Sequence, residues 1–439
     1  MNDRAATVIG GGFAGCEAAW QLAERGVSVR LIEMKPGKMS PAHHSDQLAE
    51  LVCSNSFRSD QLTNAVGLLK EEMRLMGSLI IRCADETRVP AGGALAVDRE
   101  SFSVLVTKMI TEHPLITLCH EEAVSIPDVP VIIATGPLTS ENLAKAIIDL
   151  TGLDTLNFYD AAAPIVYRES LDESKLFRLS RYNRGADYLN APMNEDQYSV
   201  FIRELIDAET AEVHQFEENK IFEGCMPIES MAKRGYMVPA FGPMKPVGLI
   251  DPHTGREPFA VVQLRQDNTS GTLYNIVGFQ TRLKFPEQKR VFGLIPGLEN
   301  AVYARYGVMH RNTFLNSPGL LNSSFEMIKR KKCFFAGQIT GVEGYVESAA
   351  SGLVAGITLA AEINGKSIPV FPSFTALGAM GKYISTPNTD FQPMNCSFGL
   401  IDSPPRSPDG KRIRSKQDRK EAVSQRSLAY FKSIQTGGK

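Results

Sequence analysis

The sequence predicts an α/β fold: a Rossmann-like dinucleotide-binding domain interrupted by an inserted α+β domain. Three observations carry this. Gly10-Gly11-Gly12-Phe13-Ala14-Gly15 stands between a short apolar run and a helix-like stretch. A second strand–glycine element, residues 333–336 with Gly337-Gln338, recurs late in the chain. The middle third between them leaves this pattern for Tyr-, Arg-, Pro- and Gly-containing sequence of mixed short periodicity.

Each element follows from local pattern. Residues 5–9 read as an apolar strand running into glycine. Residues 16–25 follow as a helix ended by Gly26, and 27–32 alternate as a second strand closing at Glu33. Leu62, Val66, Leu69, Met73 and Met76 recur at helical spacing, with Lys70, Glu71, Glu72 and Arg74 on the other side. Residues 129–133 form another strand, opening into Ala134-Thr135-Gly136-Pro137. In the middle third, 195–211 read as a helix. Small residues over 346–363 give another after the second strand–glycine element. The expected organisation is 1–159 as the first part of the dinucleotide domain, 160–332 as the insert, 333–401 as its second part, and 402–439 as a basic tail. That tail is rich in Pro, Ser, Lys and Arg and is expected to be mobile.

Composition bounds the function classes. The chain has 439 residues, 43% apolar and 22% charged, which excludes a mainly disordered protein. No uninterrupted apolar run approaches the roughly 18 residues of a membrane helix, and the start lacks the long apolar core of a secretion signal. Seven cysteines without a Cys-x-x-Cys suggest neither a disulfide framework nor a zinc site. A cytoplasmic protein with reduced thiols, no membrane and no metal is expected. The net charge of −2 conceals an asymmetry: residues 402–439 carry ten Lys/Arg against four Asp/Glu, and the remaining body is acidic. Such a tail suits an anionic partner.

The glycine loop has a physical reading. Gly10 permits a tight turn, Gly12 lets a pyrophosphate approach the backbone, and Gly15 lets helix and strand pack closely. The helix start then faces the phosphates, and Glu33 is placed to bond a ribose hydroxyl. FAD, NAD(P) and S-adenosylmethionine can all use such a start. Ile133-Ala134-Thr135-Gly136 resembles the Ala-Thr-Gly turn of FAD-containing reductases. Phe335-Ala336-Gly337-Gln338 resembles the late segment that holds the ribityl–pyrophosphate end of FAD, with Gln338 where Asp is usual. These favour FAD, held by Gly10, Gly11, Gly12, Phe13, Ala14, Gly15, Glu33, Gly337 and Gln338.

Cys53 and Cys225 lie among polar or turn residues, in Leu-Val-Cys-Ser-Asn-Ser-Phe-Arg and Phe-Glu-Gly-Cys-Met-Pro-Ile-Glu. An exposed thiolate and an inert buried thiol both remain open for each. Cys16, Cys83, Cys119 and Cys333 fall in apolar positions and read as inert; Cys396 is ambiguous. His310, flanked by Arg311 and Asn312, suits either an aromatic or anionic ligand or a structural role. His43 and His44 read as surface histidines. In the tail, Arg412, Lys416, Arg419, Val423, Arg426 and Tyr430 follow steps of three or four residues. A helix there would carry a cationic face for a phosphate backbone, or merely a solvated one.

Longer motifs resemble one family. Val89-Pro-Ala-Gly-Gly-Ala-Leu-Ala-Val-Asp-Arg99, Phe222-Glu-Gly-Cys-Met-Pro-Ile-Glu229 and Phe241-Gly-Pro-Met-Lys-Pro-Val-Gly248 are three of them. Val262-Gln-Leu-Arg-Gln-Asp267, Tyr306-Gly-Val-Met-His-Arg-Asn-Thr313 and Gly341-Val-Glu-Gly-Tyr-Val-Glu-Ser348 are three more. Together they resemble the folate- and FAD-dependent tRNA (uracil-5-)-methyltransferases. The resemblance implies delivery of the methylene carbon of 5,10-methylenetetrahydrofolate, by way of reduced FAD and with NAD(P)H as reductant, to C5 of a uridine in the T-arm of tRNA. It implies Cys225 as the nucleophile toward uracil C6 and Cys53 as the general base for the C5 proton. It also implies His310 as a stacking partner of the folate pterin, with Arg282 on the folate side where relatives often carry His. The same chemistry on a ribosomal RNA uridine, a flavin oxidoreductase without RNA methylation, and a catalytically silent flavin- or RNA-binding protein with structural cysteines are the alternatives.

Overall fold

The computed structural model describes residues 4–128, 130–152, 156–183, 185–211, 226–389, 391–403, 406, 410 and 413–436; of these, 156–160, 183, 309–311 and 435–436 are described by backbone alone. The chain opens with β1 (Ala5–Ile9), α1 (Phe13–Ala23) and β2 (Ser28–Glu33). Four of the five residues of β1 are buried, as a strand covered on both faces requires. Then come β3 (Ser56–Ser59), α2 (Ala65–Leu75), α3 (Leu79–Glu86), β4 (Arg88–Val89), β5 (Ala94–Val97) and α4 (Arg99–Thr111). Ser78 and Asp98 cap α3 and α4 by accepting from the amides of Ile81 and Ser101. β6 (Ile116–His120), β7 (Val131–Ile133) and α5 (Glu141–Thr151) follow.

The middle of the chain supplies β8 (Leu156–Ala161), β9 (Ile165–Tyr167), β10 (Phe177–Arg178), β11 (Tyr188–Met193) and α6 (Glu195–Asp207). It continues with α7 (Ile228–Arg234), α8 (Val238–Phe241), β12 (Ala260–Gln266), β13 (Leu273–Ile276), α9 (Phe285–Phe292), β14 (Tyr303–Arg305) and β15 (Met309–Phe314). The chain returns through β16 (Cys333–Phe335), α10 (Tyr345–Ile363), α11 (Ala376–Ser385) and α12 (Lys416–Thr436).

A parallel sheet in the order β16-β7-β1-β2-β6 forms the dinucleotide domain, and an antiparallel sheet in the order β10-β11-β12-β13-β9-β14 forms the insert. Register matters for function. Ile9 lies opposite both Ile32 and Ile133, and Ile133 opposite Phe335. The four strands therefore reach one level, and the loops after them, beginning at Gly10, Met34, Ala134 and Ala336, emerge side by side. Ligands of open α/β sheets bind at such carboxyl ends.

Each sheet has its own apolar core. One surrounds the parallel sheet and includes Leu31, Ile132, Phe334 and Leu353. The other lies in the insert, around Tyr198, Phe201, Phe279 and Phe292. Helix α10 passes the length and composition test for a membrane helix and is nevertheless packed inside the fold. Its small residues explain why. A Cβ on Gly352 would stand 2.1 Å from the Ala14 carbonyl oxygen, so α1 and α10 touch backbone to backbone.

Two expectations change. The helix read over 195–211 stops at Asp207, because Thr210 bridges to Leu283 and the Ala211 amide donates to the Arg282 carbonyl. The tail expected to be mobile contains α12, which is docked. Val423 and Phe431 are buried, and the Ser427 hydroxyl donates to Glu72. The lysines and arginines around these three residues obscured a narrow buried stripe.

Candidate dinucleotide cleft and thiol site

The glycine loop carries out three separable tasks. Gly10 has φ +104, and a Cβ there would lie 2.4 Å from the Ala134 carbonyl oxygen. At Gly15 an added Cβ would stand 1.7 Å from the Gly10 carbonyl oxygen, so this position closes the helix against the strand. A Cβ on Gly12 would meet nothing within 4 Å: its surface faces the open cleft. Gly12 is the N-cap of α1, and no side chain caps that helix. The first-turn amides of α1 have no partner inside the helix, which makes its start a site for an anion.

Around this start the cleft is lined by Gly10–Ala14, Glu33, Lys35, Thr135–Ser140, Gly337, Gln338 and Tyr345. An ideal Cβ on Gly337 would lie 3.1 Å from the Ala14 side chain, so the late glycine meets the early loop. The Gly337 amide donates to Ser351 Oγ at 2.7 Å, and Gln338 Nε2 donates to Glu343 Oε1 at 2.7 Å. Glu33 is buried and accepts from the amides of Gly11 at 2.6 Å and Lys35 at 2.9 Å. Its carboxylate thus shapes the glycine loop as well as facing the cleft. The open face at Gly12, the uncapped helix start and the converging loops fit a dinucleotide pyrophosphate.

Cys53 lies at the edge of this cleft, between lining residue Val52 and the ring of Tyr345. The Tyr345 oxygen accepts from the Cys53 amide at 2.9 Å and lies 3.0 Å from Cys53 Sγ. Burial first, and then the neighbouring sulfur, push the Tyr345 phenol well above its ordinary value. The phenol therefore keeps its proton and can share it with a thiolate. Its ring stacks on Phe13, with centroids 4.6 Å apart and planes at 15°. From the other side Arg265 donates to Ser54 Oγ at 2.9 Å and to Asn55 Oδ1 at 3.0 Å. Arg99 pairs with both oxygens of Asp267 at 3.1 Å and donates to the Leu51 carbonyl. The thiol loop is thereby held between α10 and the insert strand β12.

The other expected residues are placed unequally. Cys225 lies outside the described residues. The backbone of His310 sits in β15 opposite Asp160, and its side chain lies outside the described residues. Arg282 is half-buried, and its amide donates to Glu229 Oε1 at 2.9 Å; it does not line the cleft. His43, read as a surface histidine, instead lines the cleft half-buried, and burial, followed by the charge of Lys35, lowers its pKa. A loop drawn inward by Lys35, whose ammonium donates to the carbonyls of Ser45 and Gln47, brings it there. His44 is exposed as expected. Cys119, read as inert and buried, is half-exposed on β6. Sequence reasoning missed Tyr345, Arg99 and Arg265, although all three stand inside the long motifs.

Comparison with known proteins places the chain. The family described as Glucose inhibited division protein A matches residues 5–367. The methylenetetrahydrofolate–tRNA-(uracil-5-)-methyltransferase TrmFO of Acetivibrio thermocellus is 58% identical over 428 residues, covering 97% of each chain. That of Staphylococcus aureus (strain JH9) is 59% identical over 430 residues, covering 97% of this chain and 98% of the other. Among solved structures, Aquifex aeolicus GidA in its form II crystal superposes with a TM-score of 0.70 at 16% identity, covering 98% of this chain and 73% of that one. This last likeness concerns the fold, a Rossmann-like FAD-binding domain with an insert. The chain belongs to the Glucose inhibited division protein A family and, within it, to the methylenetetrahydrofolate–tRNA-(uracil-5-)-methyltransferases.

Proposed function

We propose that the protein methylates C5 of a T-loop uridine in tRNA, taking the carbon from 5,10-methylenetetrahydrofolate with FAD as cofactor and NAD(P)H as reductant. The observation that carries the reading is a thiol, Cys53, bonded to a protonated tyrosine at the edge of a dinucleotide cleft. It occurs in a chain so similar to proteins bearing that name.

FAD, when bound and reduced by NAD(P)H, would supply the two electrons that bring the one-carbon unit from the methylene to the methyl level. The chain's own groups do the rest. Uracil C5 becomes nucleophilic only after addition at C6, and Cys225 is the thiolate we assign to that bond, which breaks again as product forms. Cys53 Sγ takes the C5 proton, and Tyr345 holds the sulfur in place through its hydroxyl. Gly12 and the start of α1 seat the pyrophosphate, while Gly337 and Gln338 approach the same ligand from the late segment. His310 and Arg282 are assigned to the folate. The uridine must leave its stack to react, at a cost of a few kcal/mol.

The test uses folate labelled in its transferable carbon and NAD(P)H with, in parallel reactions, an unmodified tRNA transcript and an unmodified ribosomal RNA transcript, followed by nucleoside analysis. Label in 5-methyluridine of the T-loop is expected. Label confined to ribosomal RNA would move the substrate, and reductant consumption with no labelled RNA would leave an oxidoreductase.

A further inference from the structure

Two segments of the insert meet on its surface away from the dinucleotide cleft. The turn Ser180–Tyr182 packs against the loop after α8: Arg181 donates to the Pro243 carbonyl at 2.7 Å, and Lys245 Nζ lies 5.4 Å from the centre of the Tyr182 ring. Residues 176–187 and 226–251 together hold six Lys/Arg, five of them among the described residues, and three carboxylates: Asp187, which accepts from the Gly92 amide at 2.6 Å, the buried Asp251, and Glu229. Glu229 is also buried, accepting from Thr281 and the Arg282 amide. With Glu229 and Asp251 buried, the exposed charge of these segments is mainly cationic, Asp187 apart, in a chain of net charge −2.

Aromatic rings stand out among these cations. Phe241 is 78% exposed and Tyr182 54%. Tyr182 also takes φ +62, a left-handed conformation unfavourable to a bulky residue. A bulky ring held half-exposed in that conformation is a constraint that points to a use outside the fold. Beneath it opens a cleft of about 210 Å³, lined by Gly92, Gly93, Arg181, Tyr182, Tyr188 and Gln263 among others. The Arg181 Nε is buried without a hydrogen-bond partner. Gln263 lies two residues from Arg265 on β12, the arginine that holds Ser54. At about 3.3 Å per residue, the cleft stands only some 7 Å along the strand from the thiol-loop clamp.

Cations for phosphates, open aromatic faces, and a small cleft of glycine, tyrosine, glutamine and arginine form the pattern by which unstacked RNA is held. We infer that this surface of the insert binds the loop of the substrate RNA, with a base adjoining the target uridine seated in the cleft and stacked on Tyr182. The inference rests on the function proposed above and names the surface through which that substrate is held. A second copy of this chain is the competing occupant; the excess of cations disfavours it, since like surfaces would meet.

The flavin-loaded full-length protein is titrated with an unmodified tRNA transcript, as wild type, as Tyr182→Gly with Phe241→Ser, and as Lys245→Gln. Glycine suits the left-handed position and serine an exposed one, so the bound-flavin spectrum and thermal midpoint should hold. The double variant should raise Kd about tenfold or more, the loss expected when stacked bases lose their aromatic faces. Lys245→Gln should reduce the slope of log Kd against log salt by about one. Kd within about twofold of wild type and an unchanged salt slope would overturn the inference. So would an altered oligomeric state with unchanged RNA affinity, which would make the surface a contact between copies. A wild type that neither binds nor methylates tRNA would instead defeat the proposed function itself.

Discussion

Single residues divide the cleft into parts that build the fold and parts that face the ligand. Gly15→Ala drives a methyl into the Gly10 carbonyl, backbone against backbone, and should cost about 3 kcal/mol or more in chemical denaturation. Gly12→Ala meets open space, so unfolding of the flavin-free protein should change by less than about 0.5 kcal/mol. Flavin affinity, measured by titration, should fall clearly. Tyr345→Phe removes the hydroxyl beside Cys53 and preserves the ring stacked on Phe13. Losing a hydrogen bond to a charged group should slow methyl transfer about 10- to 100-fold with flavin retained. Alkylation of Cys53 should also move to higher pH, whereas a merely structural tyrosine would leave that profile in place. That Gly10, Gly12 and Glu33 share one cleft, and that Gly10 and Gly15 are packed too closely for a side chain, was readable from spacing. Tyr345 was not: 292 residues separate it from Cys53, and nothing local pairs them.

At the scale of elements, α2 links α11 and α12 through one carboxylate. Glu72 accepts from the amides of Ala376 at 2.7 Å and Leu377 at 2.8 Å, both at the start of α11, and from Ser427 on α12. Burial pushes Glu72 up to about 7, against the pull of these donors. An unfolded carboxylate titrates near 4.5. Between those values the folded state keeps a proton the unfolded chain has released, so stability falls as pH rises through the window. The effect should reach at most about 3 kcal/mol, and Glu72→Gln should lose that share of the pH dependence, read as the difference between wild-type and variant unfolding curves taken at pH 5 and pH 8. The helical spacing of α2 was legible because its apolar stripe is local. The docking of α12 was not, because among its described side chains only Val423, Ser424, Ser427 and Phe431 are buried, in a helix otherwise studded with charge.

In the whole molecule, the insert completes the site. Arg99, at the start of α4, pairs with Asp267 just after β12, and Arg265 reaches back to Ser54 and Asn55. Both side chains of the Arg99–Asp267 pair are largely buried, so Asp267→Ala would strand a cation. A loss of about 3–5 kcal/mol is expected by denaturant titration. Removing Glu204 from its exposed pair with Arg290 should cost under about 1 kcal/mol. The α/β class, the βαβ start, the glycine loop and the late Gly337-Gln338 element were legible in the sequence. Those depend on residue type and short-range periodicity, which local physics reads directly. Tertiary structure alone decided that four strands reach one level, that His43 turns inward, and that Cys53 is held between Tyr345 and Arg265. Each of these joins residues tens to hundreds of positions apart, and only the packed sheets, through register and burial, bring such residues within hydrogen-bond reach.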